Sequence, residues 1–402
     1  MITVIPGSCP KRAIVAIPAR NEEERIAACL RALSCQTGVD RKSLGVVVFV
    51  NGSTDRTARV VQSVSCGAEL DISLIEDSAI RRPDAGWARR MAMEASADWL
   101  ARNAENGIAE FRRIILTTDA DTIVPPDWVV RNVCAIEAGA GAVAGAFDIN
   151  PREKAQLPAM LRFRLDLEAR YEALITELAC RLDPQPHDPW PRHAATSGAS
   201  LAVDLEAYLA VGGMPALPVG EDRAFIDALV AAGRPVRHDP DIRVVTSGRL
   251  MGRAIGGLSD GMRLRAERWN DPCDERLQPI GRLLRRSLRK GRGYPALRPT
   301  DLPAEIAKAT AVLVAVRIAA FLKASDEKPL SSSRQDFQVA KQIQFLKARA
   351  TVRGKAASRC RIRGSVRSRD HGIYARRGLR LSPSIAKGPG GIVECGLPDQ
   401  RE

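Results

Sequence analysis

At 402 residues and 45% hydrophobic content, the chain exceeds one ordinary domain and carries enough apolar material for a sizeable core. Its nine cysteines stand singly, with no CxxC pair and no His/Cys cluster at zinc-ligand spacing, which argues against a disulfide framework and a structural zinc. The net charge of +14 is uneven: residues 331–402 hold 16 Lys+Arg against 5 Asp+Glu, a net of +11, leaving +3 for residues 1–330 and arguing against a nucleic-acid-binding core.

Over the first 250 residues two periodicities alternate. RAIVAIP (12–18), GVVVFV (45–50), DISLI (71–75), RRIILTT (112–118) and GAVAGAF (141–147) read as strands, several apolar enough to be buried on both faces. Helical patterns separate them. Asn21 is placed to cap the first helix, with Glu22, Glu23 and Glu24 at its positive end and Ile26, Cys29, Leu30 and Leu33 on one face. The next helices follow Ser53-Thr54-Asp55 and Asp84-Ala85-Gly86, and Pro126 fits the first turn of a fourth. This β-α order predicts an α/β fold, a mostly parallel sheet with helices on both faces, whose ligands bind at the carboxyl ends of the strands. ARNEEE (19–24), NGSTD (51–55) and TTDADT (117–122) fall at that edge.

Beyond residue 150 the pattern predicts one long amphipathic helix over Ala155 to Arg181, then a long loop, DPQPHDPWPRHAATSG (183–198), of the kind that is usually functional when ordered. SGASLAVD (197–204) reads as a strand, EDRAFIDALVAAG (221–233) as a helix closed by Gly233, and PVRHDPDIRVVTSGR (235–249) as two short strands. From about Ser259 the pattern is helical and basic, as in GRLLRRSLRKGRG (281–293). From SSSRQD (331–336) onward Ser, Gly, Arg and Lys dominate, so disorder is expected there, apart from one short helix near Phe337 to Ala350. The expected organisation is a domain over 1–255, a basic helical extension over 256–330 and a disordered basic tail over 331–402.

The longest apolar stretch, ATAVLVAVRIAAFL from Ala309, is interrupted by Arg317 and is too short to span a bilayer. The N-terminus lacks the layout of a signal peptide. Together they predict a cytoplasmic protein.

Asp119 and Asp121 follow an apolar run, and in a turn such carboxylates converge on a hard cation such as Mg²⁺ or Mn²⁺, with phosphate oxygens completing its shell. A solvated turn is the alternative. NGSTD makes a tight turn with Ser53 or Thr54 as helix cap, or lets a nucleotide approach the backbone. Glu221 and Asp222 either complement a helix dipole or supply a general base.

Taken in order, IPARNEE, NGSTDRT, TTDADT, and GASLAV with VGGMP and GED resemble the family 2 glycosyltransferases of GT-A fold, over roughly residues 12 to 255. The resemblance implies inverting, metal-assisted transfer of a sugar from a nucleotide-diphospho-sugar, UDP- or GDP-linked, to a hydroxyl acceptor. Pro18, Ala19, Arg20 and Glu22 would line the nucleotide pocket, and Asn51 would face the base. Asp119 would hold the ribose or metal side, and Asp121 would ligate Mg²⁺ or Mn²⁺. Gly198-Ala199-Ser200 would form the strand beneath the acceptor, with Asp222 as catalytic base and Glu221 orienting it or touching the acceptor. His238 would be a third metal ligand or an ordinary strand histidine. Arg249 or Arg253 would pair phosphate oxygens as TSGRLMGRAIGGL (246–258) closes. His187, Trp190 and His193 are candidates for an acceptor lid, and Arg89 and Arg90 for diphosphate contacts or a solvated helix face.

Arg20 and the pair Val50-Asn51 depart from the family pattern, which leaves the base open among uracil, guanine or another. The Gln-x-x-Arg-Trp motif of processive synthases is absent, which favours single addition. A nucleotidyltransferase would want a glycine-rich basic first loop, which ARNEEER is not. A non-catalytic binding protein is the farther alternative. The basic C-terminal region suits anionic lipid headgroups, hence peripheral contact with the inner membrane face and a lipid-linked acceptor. Its few aromatics make nucleic acid an unexpected partner.

Overall fold

The computed structural model describes residues 11–67, 70–77, 84–104, 112–252, 256–284 and 295–327. In chain order these form β1 (Ala13–Ala19), α1 (Ile26–Ser34), β2 (Leu44–Asn51), α2 (Thr57–Gly67), β3 (Asp71–Asp77), α3 (Ala85–Ala104), β4 (Ile114–Thr117), α4 (Trp128–Glu137), β5 (Ala142–Ile149), α5 (Pro151–Gln156) and α6 (Ala159–Leu182). β6 (Leu201–Asp204), α7 (Leu205–Ala210), α8 (Glu221–Ala231), β7 (Val236–Thr246), α9 (Leu258–Glu267), α10 (Ile280–Leu284) and α11 (Leu302–Glu327) follow.

The strands build one sheet in the order β3-β2-β1-β4-β6-β5-β7. All neighbours are parallel except that β6 runs against both β4 and β5. Because successive side chains point to opposite faces, β1 feeds two cores. Val15 and Ile17 pack with Val46, Val48 and the apolar faces of α1, α2 and α4. Ile14 and Ala16 pack with Val47, Phe49, α3 and α8 on the other face. Every residue of β2 is buried, as a parallel strand covered on both sides requires.

A further core joins α6, α10 and α11 through Tyr171, Leu178, Ile280, Leu302, Ile306 and Leu313. The described part of α11 belongs to the same compact unit as the sheet. Among the described residues no helix is long and apolar enough to cross a membrane.

Three elements differ from expectation. The long helix after β5 is broken at Pro158, which caps α6, so that Asn150 and Pro151 start a separate short α5. The two short strands expected after α8 are one strand, β7, with a register shift opposite Gly145 and Ala146. Its single run hides two hydrophobic registers, which a bulge reconciles. β6 begins at Leu201, so Gly198-Ala199-Ser200 is the turn before it. The expected tail over 331–402 and most of GRLLRRSLRKGRG lie outside the described residues.

Candidate active site

β1 ends at Ala19, and the chain then turns on Asn21, whose φ of +53° is left-handed. Asparagine tolerates that region. Residues from the next loop hold the turn. The Asn21 amide donates to Ser53 Oγ (2.9 Å), the Thr54 amide to Asn21 Oδ1 (2.8 Å), the Glu22 amide to Thr57 Oγ1 (2.8 Å) and the Arg56 amide to Glu23 Oε2 (2.9 Å). The first two polar clusters thus satisfy each other. Asn21 therefore does not cap α1, which starts five residues later behind Arg25. Pro18 and Arg20 are half-buried beside this turn. Asn51 is buried at the end of β2, its Nδ2 donating to the Asp84 carbonyl (3.4 Å).

Asp119 and Asp121 emerge from β4 at the same sheet edge. Asp121 meets the end of β7 and the loop that follows: Thr246 Oγ1 donates to its Oδ1 at 3.4 Å, and Arg249 Nη2 lies 3.1 Å from its Oδ2. Arg249 also forks onto buried Glu22, with Nη1 donating to Oε2 at 2.9 Å. Arg25 Nη1 donates to Glu153 Oε1 (2.8 Å), whose Oε2 accepts from Ser247 Oγ (3.0 Å). The 247–249 segment is thereby drawn down over Asp121. A cleft of about 200 Å³ opens among Arg25, Asp121, Asn150, Thr246 and Ser247. Burial, then the charge of Asp119, pushes the Asp121 carboxyl up to about 6, against the pull of Arg249.

Asp119 is held from another side. Arg89 Nη2 donates to its Oδ1 at 2.7 Å, while Arg89 Nε donates to Glu221 Oε1 at 3.0 Å. Arg89 Nη1 donates to Thr117 Oγ1 (3.0 Å) and the Gly198 carbonyl (2.9 Å). Sequence reasoning left Arg89 between a diphosphate contact and a solvated helix face; it is instead 5% exposed inside the protein. The signal was available: Ala88 and Ala92 mark a helix packed tightly on a sheet, where an arginine must find partners. Burial would lower its pKa, but Asp119 and Glu221 outweigh that and raise it, so it stays charged. Arg90 pairs with Glu94 on the same helix (2.7 Å).

Glu221 and Asp222 open α8 behind Gly220, whose φ of +76° explains the glycine. Asp222 Oδ2 accepts from the Gly198 amide at 2.9 Å, and its Oδ1 from the Arg223 amide at 2.7 Å. Burial raises the Glu221 carboxyl, opposed by Arg89. Four segments distant in sequence, ending β1, ending β4, preceding β6 and starting α8, therefore meet at one edge.

His238 is not brought to Asp121. It pairs with Ala144 on β5, five register positions before the Ile149–Thr246 pair, about 16 Å at the rise of a strand. Its Nδ1 lies 2.9 Å from buried Asp188, which also accepts from the His238 amide (2.9 Å), Arg192 (2.7 Å) and Arg237 (3.0 Å). His193 meets the His238 ring edge-on at 5.7 Å, and burial, then the charge of His238, pushes its pKa down to about 4. The histidine is a strand residue that fastens the 183–198 loop. Trp190 stays 41% exposed and His187 exposed. Arg253 lies outside the described residues.

The donor set suits a hard divalent cation in kind, since Asp121, Asp119 and Thr246 offer oxygen. Asp121 with Glu22, Asp119 and Glu153 makes four carboxylates against the guanidinium groups of Arg25, Arg89 and Arg249, leaving one negative charge for a cation. In number the set is small: among the described residues no three His, Cys, Asp or Glu are placed to hold one metal ion. One or two protein oxygens fit a cation whose remaining ligands come from phosphate and water.

Residues 14–188 match the family model described as Glycosyl transferase family 2. No curated protein matches in sequence. Among solved structures, S. aureus TarS with UDP-GlcNAc is 15% identical, covering 61% of this chain and 61% of that one, TM-score 0.41. The mannosyltransferase PcManGT from Pyrobaculum calidifontis with GDP-Man and Mn²⁺ is 20% identical, covering 81% and 82%, TM-score 0.40. Glucosyl-3-phosphoglycerate synthase from Mycobacterium tuberculosis with Mn²⁺, UDP and glucosyl-3-phosphoglycerate is 19% identical, covering 64% and 80%, TM-score 0.35. The chain spans about three fifths of the TarS 1–349 chains, 58% in the UDP complex, and 35% of the longer TarS chain. The α/β architecture and its mostly parallel sheet are those of the GT-A fold expected from the motifs. Residues 14–188 are thus the stretch of the chain that is similar to family 2 glycosyltransferases.

Proposed function

We propose that the protein transfers a sugar from a nucleotide-diphospho-sugar to a hydroxyl acceptor in one inverting displacement, with single addition. Asp222 is the base, Glu221 sits beside it, and Asp121 with Asp119 holds Mg²⁺ or Mn²⁺. The observation that supports this best is the meeting of carboxylates from two distant segments: Asp119 and Asp121 after β4, and Asp222 on the Gly198 turn next to them. One displacement at an anomeric carbon needs a base to take the acceptor's proton and positive charge to receive the leaving diphosphate. A bound divalent cation supplies that charge as a Lewis acid.

Pro18, Ala19, Arg20 and Asn51 are assigned to the nucleoside side. Arg249, parked on Glu22 and Asp121, is assigned to the diphosphate. UDP-GlcNAc and GDP-Man, the donors bound by TarS and PcManGT, are the first probes. The catalytic domain is assigned to 1–255, with a basic extension and tail that bring the enzyme from the cytoplasm to a lipid-linked acceptor.

Asp222→Asn is expected to keep its thermal shift with donor and Mn²⁺ yet lose transfer by about 10²- to 10⁴-fold, the size of general-base effects. Turnover near that of the parent would move the base elsewhere.

A further inference from the structure

We infer that Arg89 is a positioning residue that ties the donor end of the site to its base, and that its forked guanidinium, rather than its charge alone, sets turnover. This rests on the assignment of Asp222 as base.

Arg89 reaches Asp119 after β4, Glu221 in the first turn of α8, Thr117 on β4 and the Gly198 carbonyl before β6, at 2.7–3.0 Å. No other described side chain bonds both Asp119 and the α8 end of the site. Two routes lead from it to Asp222. One passes through Gly198, whose carbonyl accepts from Arg89 and whose amide donates to Asp222. The other passes through Glu221, the neighbour of Asp222 in the same helical turn. Gly198 is a glycine for this reason: a Cβ there would run into the guanidinium. Among the described residues no other hydrogen bond joins the segments that carry Asp119 and Glu221, so the spacing of these carboxylates follows the planar fork between them.

A fork serves this purpose and an ammonium does not. Arginine presents five donors in fixed geometry, whereas lysine presents a point charge on a flexible stem. Lysine at this position balances charge near Asp119 or Glu221 but cannot span four acceptors. The base then drifts relative to the donor, and misplacement of about 1 Å costs on the order of 10²-fold.

The test compares Arg89→Lys, Asp222→Asn and the double variant in full-length protein, reading release of UDP from UDP-GlcNAc or GDP from GDP-mannose with Mn²⁺ and acceptor. Arg89→Lys is expected to unfold cooperatively and bind UDP or GDP with Mn²⁺ within about three-fold of the parent, while kcat falls about 10- to 100-fold with little change in KM. In the Asp222→Asn background the same change should cost less than about three-fold, because both act on one step. Gly198→Ala, which presses on the guanidinium from the other side, should reproduce the kcat loss should Arg89→Lys fold poorly. A purely structural residue would lower the melting temperature and leave kcat of the folded fraction intact, which overturns the inference. Additive losses in the double variant overturn it too. Full turnover by Asp222→Asn brings down the base assignment, and Arg89 as its positioning residue with it.

Discussion

Asp121 sits where carboxylate outnumbers guanidinium, and its protonation is a property of the whole cluster. In the folded protein its carboxyl is pushed up to about 6 by burial and by Asp119, whereas an unfolded chain titrates near 4. The folded state therefore holds the extra proton between those values, and stability falls as pH rises through that window, the loss being complete above about 6. Asp121→Asn removes the buried charge. Without donor or cation it is expected to melt above the parent at pH 7.5, by on the order of 1–3 kcal/mol, with the gap closing toward pH 4. Scanning calorimetry at both values checks this, and a constant offset would mean that the Arg249 contact outweighs burial. Nearby, the Cys29 thiol, buried under the Asp119 carbonyl (3.5 Å), is raised by burial and by both aspartates, and is inert as a nucleophile.

Among the elements, the 183–198 loop gains its order from one buried acid. Asp188 collects the His238 ring and amide, Arg192 and Arg237, and Arg237 also donates to the carbonyls of Pro189 (2.8 Å) and Pro191 (2.9 Å). Burial alone would raise this carboxyl, but the bonds from His238 and Arg192 hold it well below the usual range. The loop is thus stitched across β7 and delivers Gly198 to the site. Asp188→Ala strands two guanidinium groups in a partly buried place and is expected to cost about 3–5 kcal/mol, the cost of breaking a buried pair from one side. Urea titration measures the loss, and hydrogen exchange should rise first in residues 189–200. A change within about 0.5 kcal/mol would show that the prolines alone hold the loop.

For the whole molecule, charge is segregated: the tail from 331 carries +11 of the +14. A basic segment is drawn to anionic lipid by about 1 kcal/mol per cation near the surface, within a Debye length. The full chain is expected to sediment with phosphatidylserine-containing vesicles at about 0.05 M salt and to release near 0.5 M. A chain ending at residue 330 should stay in the supernatant while unfolding cooperatively. Equal sedimentation of both chains would move membrane contact to the folded part.

By itself the sequence determined the strands β1 to β5, because runs such as LGVVVFVN are apolar beyond what any exposed segment tolerates, and period and length leave little choice. It also put Asp119 and Asp121 on the carboxyl side of a strand, since parallel β-α units carry their loops there, and Asp222 at the start of a helix. Partners, by contrast, emerge with the fold. Ser53, Thr54 and Glu23 are consumed in holding two loops together, His238 goes to Asp188, and Arg89 turns inward to join Asp119 with Glu221. Local periodicity records which face a residue occupies. Which charge it meets depends on segments a hundred residues away, and a buried charge takes whatever partner the fold brings within reach, because leaving it alone costs several kcal/mol.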